Sequence, residues 1–504
     1  MIRKTEIILQ SILIPRQQDE TGELYYRLIG TKSVNVEDDR IELGKGTILS
    51  TQTYLNIFDS WAWNRYTGLE TWKLRLEVEG KLYLRLYGWG KKKNLLFEEI
   101  VDADEMMMVE VKFRQSYEGE MIYFEIEALE DTILYQGAYL ADILLEQKNP
   151  VHLSVVICTY KRKKELYQNL AVLKNSMFFD ENSPYYGEMS IRIVDNGEEL
   201  PNIANEYIAL YHNPNTGGSG GFTRGLLESR KDEAKYGITH VVFMDDDVRI
   251  QAESFYRLYA LLCLLGSSYQ KEVVAGRMFR LDRRYIQHTA AEIWNQGDVI
   301  HLGSEMDMRK EEALLAMNQK LGQYAGWWFA CYPMSFARQE TPLHFFLHCD
   351  DVEYGLRHGG NPLLLNGIQV WHETYENRVS PLIHYYDQRN SMIVNTLYQE
   401  YQSEKELFQK WFFRVIYDTR AKKFENLYPT LVAMQDYLKG NDFFLSHSSK
   451  KNMRVPRILK GWMALPWILL QIPILRCRIR AAYQSYNRQK MFPASATYET
   501  LSDG

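Results

Sequence analysis

Cysteine is scarce and unpaired in this sequence of 504 residues. The five, at positions 158, 263, 331, 349 and 477, show no CxxC spacing. That excludes a disulfide framework and a zinc ribbon, and it fits a reducing compartment. A long hydrophobic run is also missing. Residues 462–475 are mostly apolar, but they fall short of the roughly 20 residues a spanning helix needs, and Pro466, Gln471 and Pro473 interrupt them. There is no overall basic excess: 59 Lys+Arg stand against 65 Asp+Glu, a net charge of −6. A general nucleic-acid binder is therefore not expected. At the N-terminus Arg3 and Lys4 precede an apolar run. Gln10 and Ser11 break it, Pro15 ends it and no small-residue cleavage site follows, so a signal peptide is not expected. Internal repeats are absent.

What is present reads as an ordinary soluble chain, with 46% hydrophobic residues and a length that suits two to four domains. Charge is uneven. Residues 443–498 carry Lys450, Lys451, Arg454, Arg457, Lys460, Arg476, Arg478, Arg480, Arg488 and Lys490 and no Asp or Glu. A basic tail on an acidic body implies a separate partner for the tail. Trp residues and basic flanks around the short apolar stretch 462–475 describe an element lying in the headgroup layer of an anionic membrane surface. A buried hairpin packed on the rest of the protein is the alternative.

The chain divides into three regions, 1–148, 149–385 and 386–504. In the first, apolar residues alternate over 72–78 and again over 82–86 around Gly80, which reads as a hairpin with one buried face. Short apolar runs at 24–28, 109–113, 121–126 and 133–135 without intervening helices suggest a β-sandwich. Trp61 and Trp63 read as its core, with a sugar-stacking surface as the other reading. After a linker at 146–150 the pattern becomes strand, helix, strand. Residues 153–158 form a continuous β-branched run, and 191–194 and 241–244 read as a second and a third buried strand, each ending in a polar cluster. That indicates a mostly parallel α/β sheet with crossover helices and a ligand site beyond the carboxyl ends of its strands. Beyond 385 the pattern is helical, notably over 404–417 and 425–438, with Gly440 as a C-cap.

The chemistry-bearing residues sit at those strand ends. Asp245, Asp246 and Asp247 follow a buried strand, and three adjacent carboxylates need a compensating charge. In extended chain Asp245 and Asp247 point the same way, so both can face one hard cation, Mg²⁺ or Mn²⁺. His372, at another strand end, can join them. The loop 213–225 has Gly217, Gly218, Gly220 and Gly221 opening a helix, which favours close approach of an anionic ligand. It is neither a P-loop nor a dinucleotide fingerprint. Asp350 and Asp351 follow an apolar run before a helix; one reads as a cap, the other as a general base for a hydroxyl. Trp327 and Trp328 can stack on a sugar or fill a core. Arg389 can pair with a diphosphate or form a salt bridge.

Taken together, Thr159–Arg162, Asp195-Asn-Gly, Asn215 with the glycine loop, Asp245–Asp247, Trp327-Trp328, Asp350-Asp351-x-Glu353 and Trp371-His372 stand in an order that resembles bacterial galactofuranosyltransferases of the inverting glycosyltransferase family 2. The closest resemblance is to the polymerising galactan enzymes. It implies a GT-A catalytic domain, mixed and mostly parallel, between an N-terminal β-sandwich and a C-terminal helical region. It further implies that Asp245, Asp247 and His372 hold Mn²⁺ or Mg²⁺. Thr159, Arg162, Asp195, Asn215, Gly217, Gly218, Gly220, Gly221 and Asp246 would bind the donor, UDP-galactofuranose. Asp351 would be the base with Asp350 beside it, and Trp327, Trp328 and Glu353 would meet the acceptor, a lipid-linked glycan at the cytoplasmic face of a bacterial membrane. A homo-oligomer is compatible with this reading. His348-Cys349, where apolar or aromatic residues are expected, departs from the pattern and bears on acceptor choice. The competing readings are a rhamnosyl- or glucosyltransferase and an inactive carbohydrate-binding scaffold.

Overall fold

The even-numbered apolar residues from Trp72 to Leu86 lie on one strand, Thr71–Trp89, and not on a hairpin. Alternation keeps the same parity on both sides of Gly80, which a turn would not require. Gly80 adopts φ 95° and marks a bulge, and a Cβ there would lie 2.4 Å from the Asp131 carbonyl oxygen. This long strand pairs with Lys93–Arg114 along one edge. Along the other it pairs first with Thr132–Leu144 and then with Met121–Ala128. The pairing joins nine strands of the N-terminal region into one hydrogen-bonded sheet. Trp63 is fully buried against Phe58, on the helix Ser60–Thr67 capped by Asp59, while Trp61 is half-buried under Arg65. The computed structural model describes residues 4–15, 22–30, 33–37, 40–115, 120–317, 321–374, 380–446, 463–486 and 491.

The central sheet has the order Ile208–His212, Met189–Asp195, Leu153–Thr159, His240–Asp245, Ala330–Pro333, Val274–Ala275. Its first four strands are parallel, and Ala330–Pro333 runs antiparallel to His240–Asp245. Parallel strands buried on both faces explain the mostly apolar runs at 153–158 and 191–194; the exceptions pair with each other, buried Arg192 donating to the Ser154 hydroxyl at 2.8 Å. A smaller sheet carries Arg277–Arg280 parallel to Gln369–His372.

The segment read as a linker, 146–150, is tied down. The Asn149 amide N–H donates to Cys263 O at 2.7 Å, and its side chain to Leu262 O at 3.1 Å. One hydrophobic cluster runs from Trp63 and Leu74 through Phe255 to Val155. Buried Arg257 crosses the same boundary, pairing with Glu253 at 2.9 Å and donating to Leu55 O at 2.7 Å. The C-terminal helices Pro381–Leu397, Glu404–Arg420 and Leu427–Tyr437 form a second cluster. A 22-residue helix, Ala464–Ser485, packs on it through Ile468, Leu475 and Ile479. It is a single helix where a hairpin was the alternative, and it leaves Trp467, Leu470 and Ile474 exposed beside Arg476, Arg478 and Arg480. No helix among the described residues is long and apolar enough to cross a membrane. Lys450, Lys451, Arg454, Arg457, Lys460, Arg488 and Lys490 lie outside the described residues.

Candidate functional site

The strand His240–Asp245 delivers the three aspartates to the carboxyl end of the sheet. An antiparallel bridge between Arg249 and Trp371 then draws the end of Gln369–His372 alongside them; the two backbones exchange hydrogen bonds of 2.7 and 2.9 Å. That bridge is why His372, 125 residues away, meets the cluster. Its Nε2 lies 3.0 Å from Asp247 Oδ1 and 4.0 Å from Asp245 Oδ2. One ligand atom each from Asp245, Asp247 and His372 falls within a 4.8 Å group. Asp246 turns the other way. It accepts from the Thr159 hydroxyl at 2.6 Å and from Arg162 Nη1 at 3.1 Å. Arg162 also reaches Asp247 Oδ2 at 2.7 Å.

Burial pushes the Asp245 carboxyl up to about 7, against the pull of His372 and with added repulsion from Asp247 and Asp246. Burial raises Asp246 as well, opposed by Thr159 and Arg162. Two carboxylates and an imidazole converging on one point, short of positive charge, fit a hard divalent cation.

A cavity of about 890 Å³ opens beside this cluster. Asp245, Asp246 and Asp247 line it, as do Arg162, Asn215, Gly217 and Gly218. Asp350, Asp351, Trp327 and Trp328 line the same space. Asp350 and Asp351 start the helix Asp350–His358. Burial pushes the Asp350 carboxyl up to about 6. Burial, then the neighbouring Asp350 and Glu292, hold Asp351 well above the usual carboxylate range. A buried carboxylate with a raised affinity for protons is suited to accept one. Both tryptophans are also core residues. Trp327 sits against Phe222 and Phe243, and Trp328 donates Nε1–H to Gly276 O at 2.8 Å.

Several expected contacts lie elsewhere. Asp195 is buried in its own turn, where its carboxylate accepts backbone N–H groups from Gly197, Glu199 and Leu200 at 2.8–2.9 Å. It shapes the loop and does not line the cavity. Glu353, expected at the acceptor, is buried in an ion pair with Arg357 at 2.8 Å and accepts from Tyr398 Oη at 3.1 Å. Thr159 acts on Asp246 and is not part of the lining. Arg389 is buried among Tyr385, Tyr386 and Phe444, and donates to the neutral oxygens Asn390 Oδ1, Tyr385 Oη and Phe345 O.

The glycines divide. Gly217 and Gly218 face the cavity. Gly220 and Gly221 make room for protein: a Cβ at Gly220 would meet Thr216 Oγ1 at 2.2 Å, and one at Gly221 would meet Cys158 Sγ at 2.1 Å. At Gly217, φ is 73° and a Cβ would lie 2.0 Å from the Phe346 carbonyl oxygen. Gly217→Ala should therefore destabilise the central α/β region by at least about 1–2 kcal/mol, the usual cost of a left-handed alanine alone. The check is thermal melting; an unchanged melting temperature would contradict the close packing of this loop on the 345–349 turn.

The sequence pattern did not reveal Glu292 and His301. They face each other across the hairpin Glu292–Asn295/Asp298–His301, with His301 Nδ1 2.7 Å from Glu292 Oε1, and both line the cavity. Their signal was the turn Asn295-Gln-Gly-Asp298, where Gln296 and Gly297 both have positive φ. Asp387, paired with His348, was missed as well.

Known proteins match in the same order. Residues 9–142 match the Galactofuranosyltransferase 2 N-terminal family and residues 154–310 match Glycosyl transferase family 2. The chain is 23% identical over 431 residues to galactofuranosyltransferase GlfT2 of Mycolicibacterium smegmatis, covering 78% of this chain and 65% of that protein. It is 24% identical over 387 residues to GlfT2 of Mycobacterium tuberculosis, covering 71% and 60%. The matched region thus spans less than two thirds of these curated relatives' length. A family 2 domain implies the GT-A type of α/β fold, with which the mostly parallel sheet agrees. On these matches the chain carries a glycosyltransferase domain of family 2 behind an N-terminal domain of the galactofuranosyltransferase 2 type.

Proposed function

We propose that this chain transfers galactofuranose from UDP-galactofuranose, with inversion, to a hydroxyl of a lipid-linked bacterial glycan. The observation that carries this reading is the single cavity onto which both the Asp245–Asp247 cluster and the Asp350–Asp351 pair open. Asp351 takes the proton of the acceptor hydroxyl. The acceptor oxygen bonds to the anomeric carbon as the bond to the UDP oxygen breaks, and the diphosphate leaves with the electron pair. One displacement inverts the configuration. Asp245, Asp247 and His372 would hold Mn²⁺ or Mg²⁺, which supplies charge stabilisation for the leaving diphosphate. Arg162, Asn215 and the Gly217–Gly218 backbone bind the nucleotide, and Trp327 and Trp328 border the acceptor. The N-terminal region is taken as a β-sandwich domain.

Mass spectrometry of products from a panel of UDP- and dTDP-sugars with synthetic lipid-linked acceptors tests the donor. Transfer of rhamnose or glucose in place of galactofuranose would overturn the donor assignment.

We place the protein at the cytoplasmic face of the membrane. Trp467, Leu470 and Ile474 form an exposed stripe, and three arginines follow on the same helix. Each basic residue near an anionic bilayer contributes about 1 kcal/mol. The intact protein should sediment with anionic liposomes at low salt and release as salt rises. A protein ending near residue 445 should stay in the supernatant. Absence of liposome binding at low salt would make the helix a packing element only.

A further inference from the structure

The turn that leads into Asp350 is built from residues that resist its shape. Phe346, His348 and Cys349 have φ of 75°, 62° and 66°. Among the described residues, no other stretch of four holds more than one non-glycine residue in that region. A left-handed non-glycine residue costs about 1–2 kcal/mol, so three in a row of four persist only if the surroundings impose them.

The imposing group is Asn390, fully buried on the helix Pro381–Leu397. Its Nδ2 donates to Leu347 O at 2.7 Å, His348 O at 3.0 Å and Phe345 O at 3.3 Å. Its Oδ1 accepts from Arg389 Nε at 2.9 Å. Arg389 can only donate, so the amide must turn its nitrogen to the three carbonyls. Arg389 also donates from Nη2 to Phe345 O at 3.1 Å. On the far side, Gly217 leaves room for the Phe346 carbonyl.

We propose that Asn390 is a positioning residue: its side-chain amide holds the strained 345–349 turn in the shape that presents Asp350 and Asp351 to the cavity. The proposal rests on the reading of Asp351 as the base. Without the amide, three carbonyls lose their shared donor and the turn can relax toward right-handed backbone. The first turn of Asp350–His358 then rotates and carries both carboxylates with it. The Asp245–Asp247–His372 cluster sits on other elements and stays in place.

Asn390→Asp is the test. It preserves shape and the contact to Arg389, which becomes an ion pair, but it sets an oxygen against three carbonyl oxygens. A displacement of about 1 Å at a reacting group can cost about 10²-fold. We expect kcat to fall 10- to 100-fold with UDP affinity within about twofold, and backbone hydrogen exchange over 346–352 to rise. Adding Cys349→Gly, which takes positive φ without strain, should recover several-fold of the lost kcat. A residue with only a packing role would weaken UDP binding and melting together and gain nothing from the glycine. Unchanged exchange over 346–352 in Asn390→Asp overturns the proposal. Should that variant not fold, Asn390→Ala is read by the same measurements. If the wild-type protein transfers no sugar at all, the functional reading fails, and hydrogen exchange alone decides whether Asn390 holds the turn.

Discussion

Asp351→Asn should slow the chemical step by about 10²–10⁴-fold, the usual range for loss of a general base, and leave UDP binding intact. Asparagine keeps the shape and can still accept a hydrogen bond, but it cannot take a proton. The environment of Asp351 sharpens the expectation. Burial, then Asp350 and Glu292, raise its affinity for protons, so the wild-type rate should rise with pH through a limb displaced upward from an ordinary carboxylate. That limb should vanish in the residual activity of the variant. Stability must move the other way. A carboxyl raised in the folded state contributes stability that is fully present below its unfolded value and is lost as pH rises through its folded value. At pH 8 wild-type Asp351 is therefore a burden on the fold, and Asp351→Asn should melt higher. Activity lost together with stability gained separates a strained functional group from a structural one. Normal turnover by the Asn variant would move the role to Asp350.

How much of this was legible beforehand depends on how local the signal was. Strand ends at Thr159, Asp195 and Asp245 were readable because buried parallel strands are mostly apolar runs that stop at polar clusters. The opposite orientation of Asp246 followed from the two-residue period of extended chain. His372 was only a candidate in the sequence, since nothing local says that a bridge between Arg249 and Trp371 brings it to the aspartates. Gly80 was misread for a related reason. Glycine signals both turns and bulges, and only the unbroken even-numbered parity from Trp72 to Leu86 distinguishes them. Glu353 and Asp195 owe their expected ligand roles to the family resemblance alone. Arg357 and Tyr398 in one case, and three backbone N–H groups in the other, already occupy them. These partners lie across a helix turn or within a loop whose shape spacing does not convey. Arg389 shows the limit most clearly. Its sequence position left it open between a diphosphate partner and a helix-capping salt bridge, yet it is buried against Tyr386, donates to the Phe345 carbonyl and orients Asn390.

Removing one member of the Asp245–Asp247–His372 group should abolish metal-dependent transfer without unfolding the protein. The argument is electrostatic. Asp245 is half-buried, and desolvation, then Asp247 and Asp246, push its carboxyl up to about 7 with His372 opposing. Arg162 reaches Asp246 and Asp247 at 3.1 and 2.7 Å, whereas His372 stands 4.0 Å from Asp245. A divalent cation relieves this repulsion, so wild-type protein should melt higher in Mn²⁺. Binding to the folded state alone contributes about 2.7 kcal/mol at a hundredfold excess over Kd. His372→Ala removes the nitrogen ligand and Asp247→Ala one carboxylate. Both should lose the Mn²⁺-dependent rise in melting temperature along with turnover, while melting close to the wild type in chelator. Protons compete for the same oxygens, so Mn²⁺ affinity, measured by titration calorimetry, should weaken as pH falls below about 7, where Asp245 takes up its proton. Full wild-type activity in excess chelator, or an Mn²⁺ shift that survives both substitutions, would remove the metal from this site.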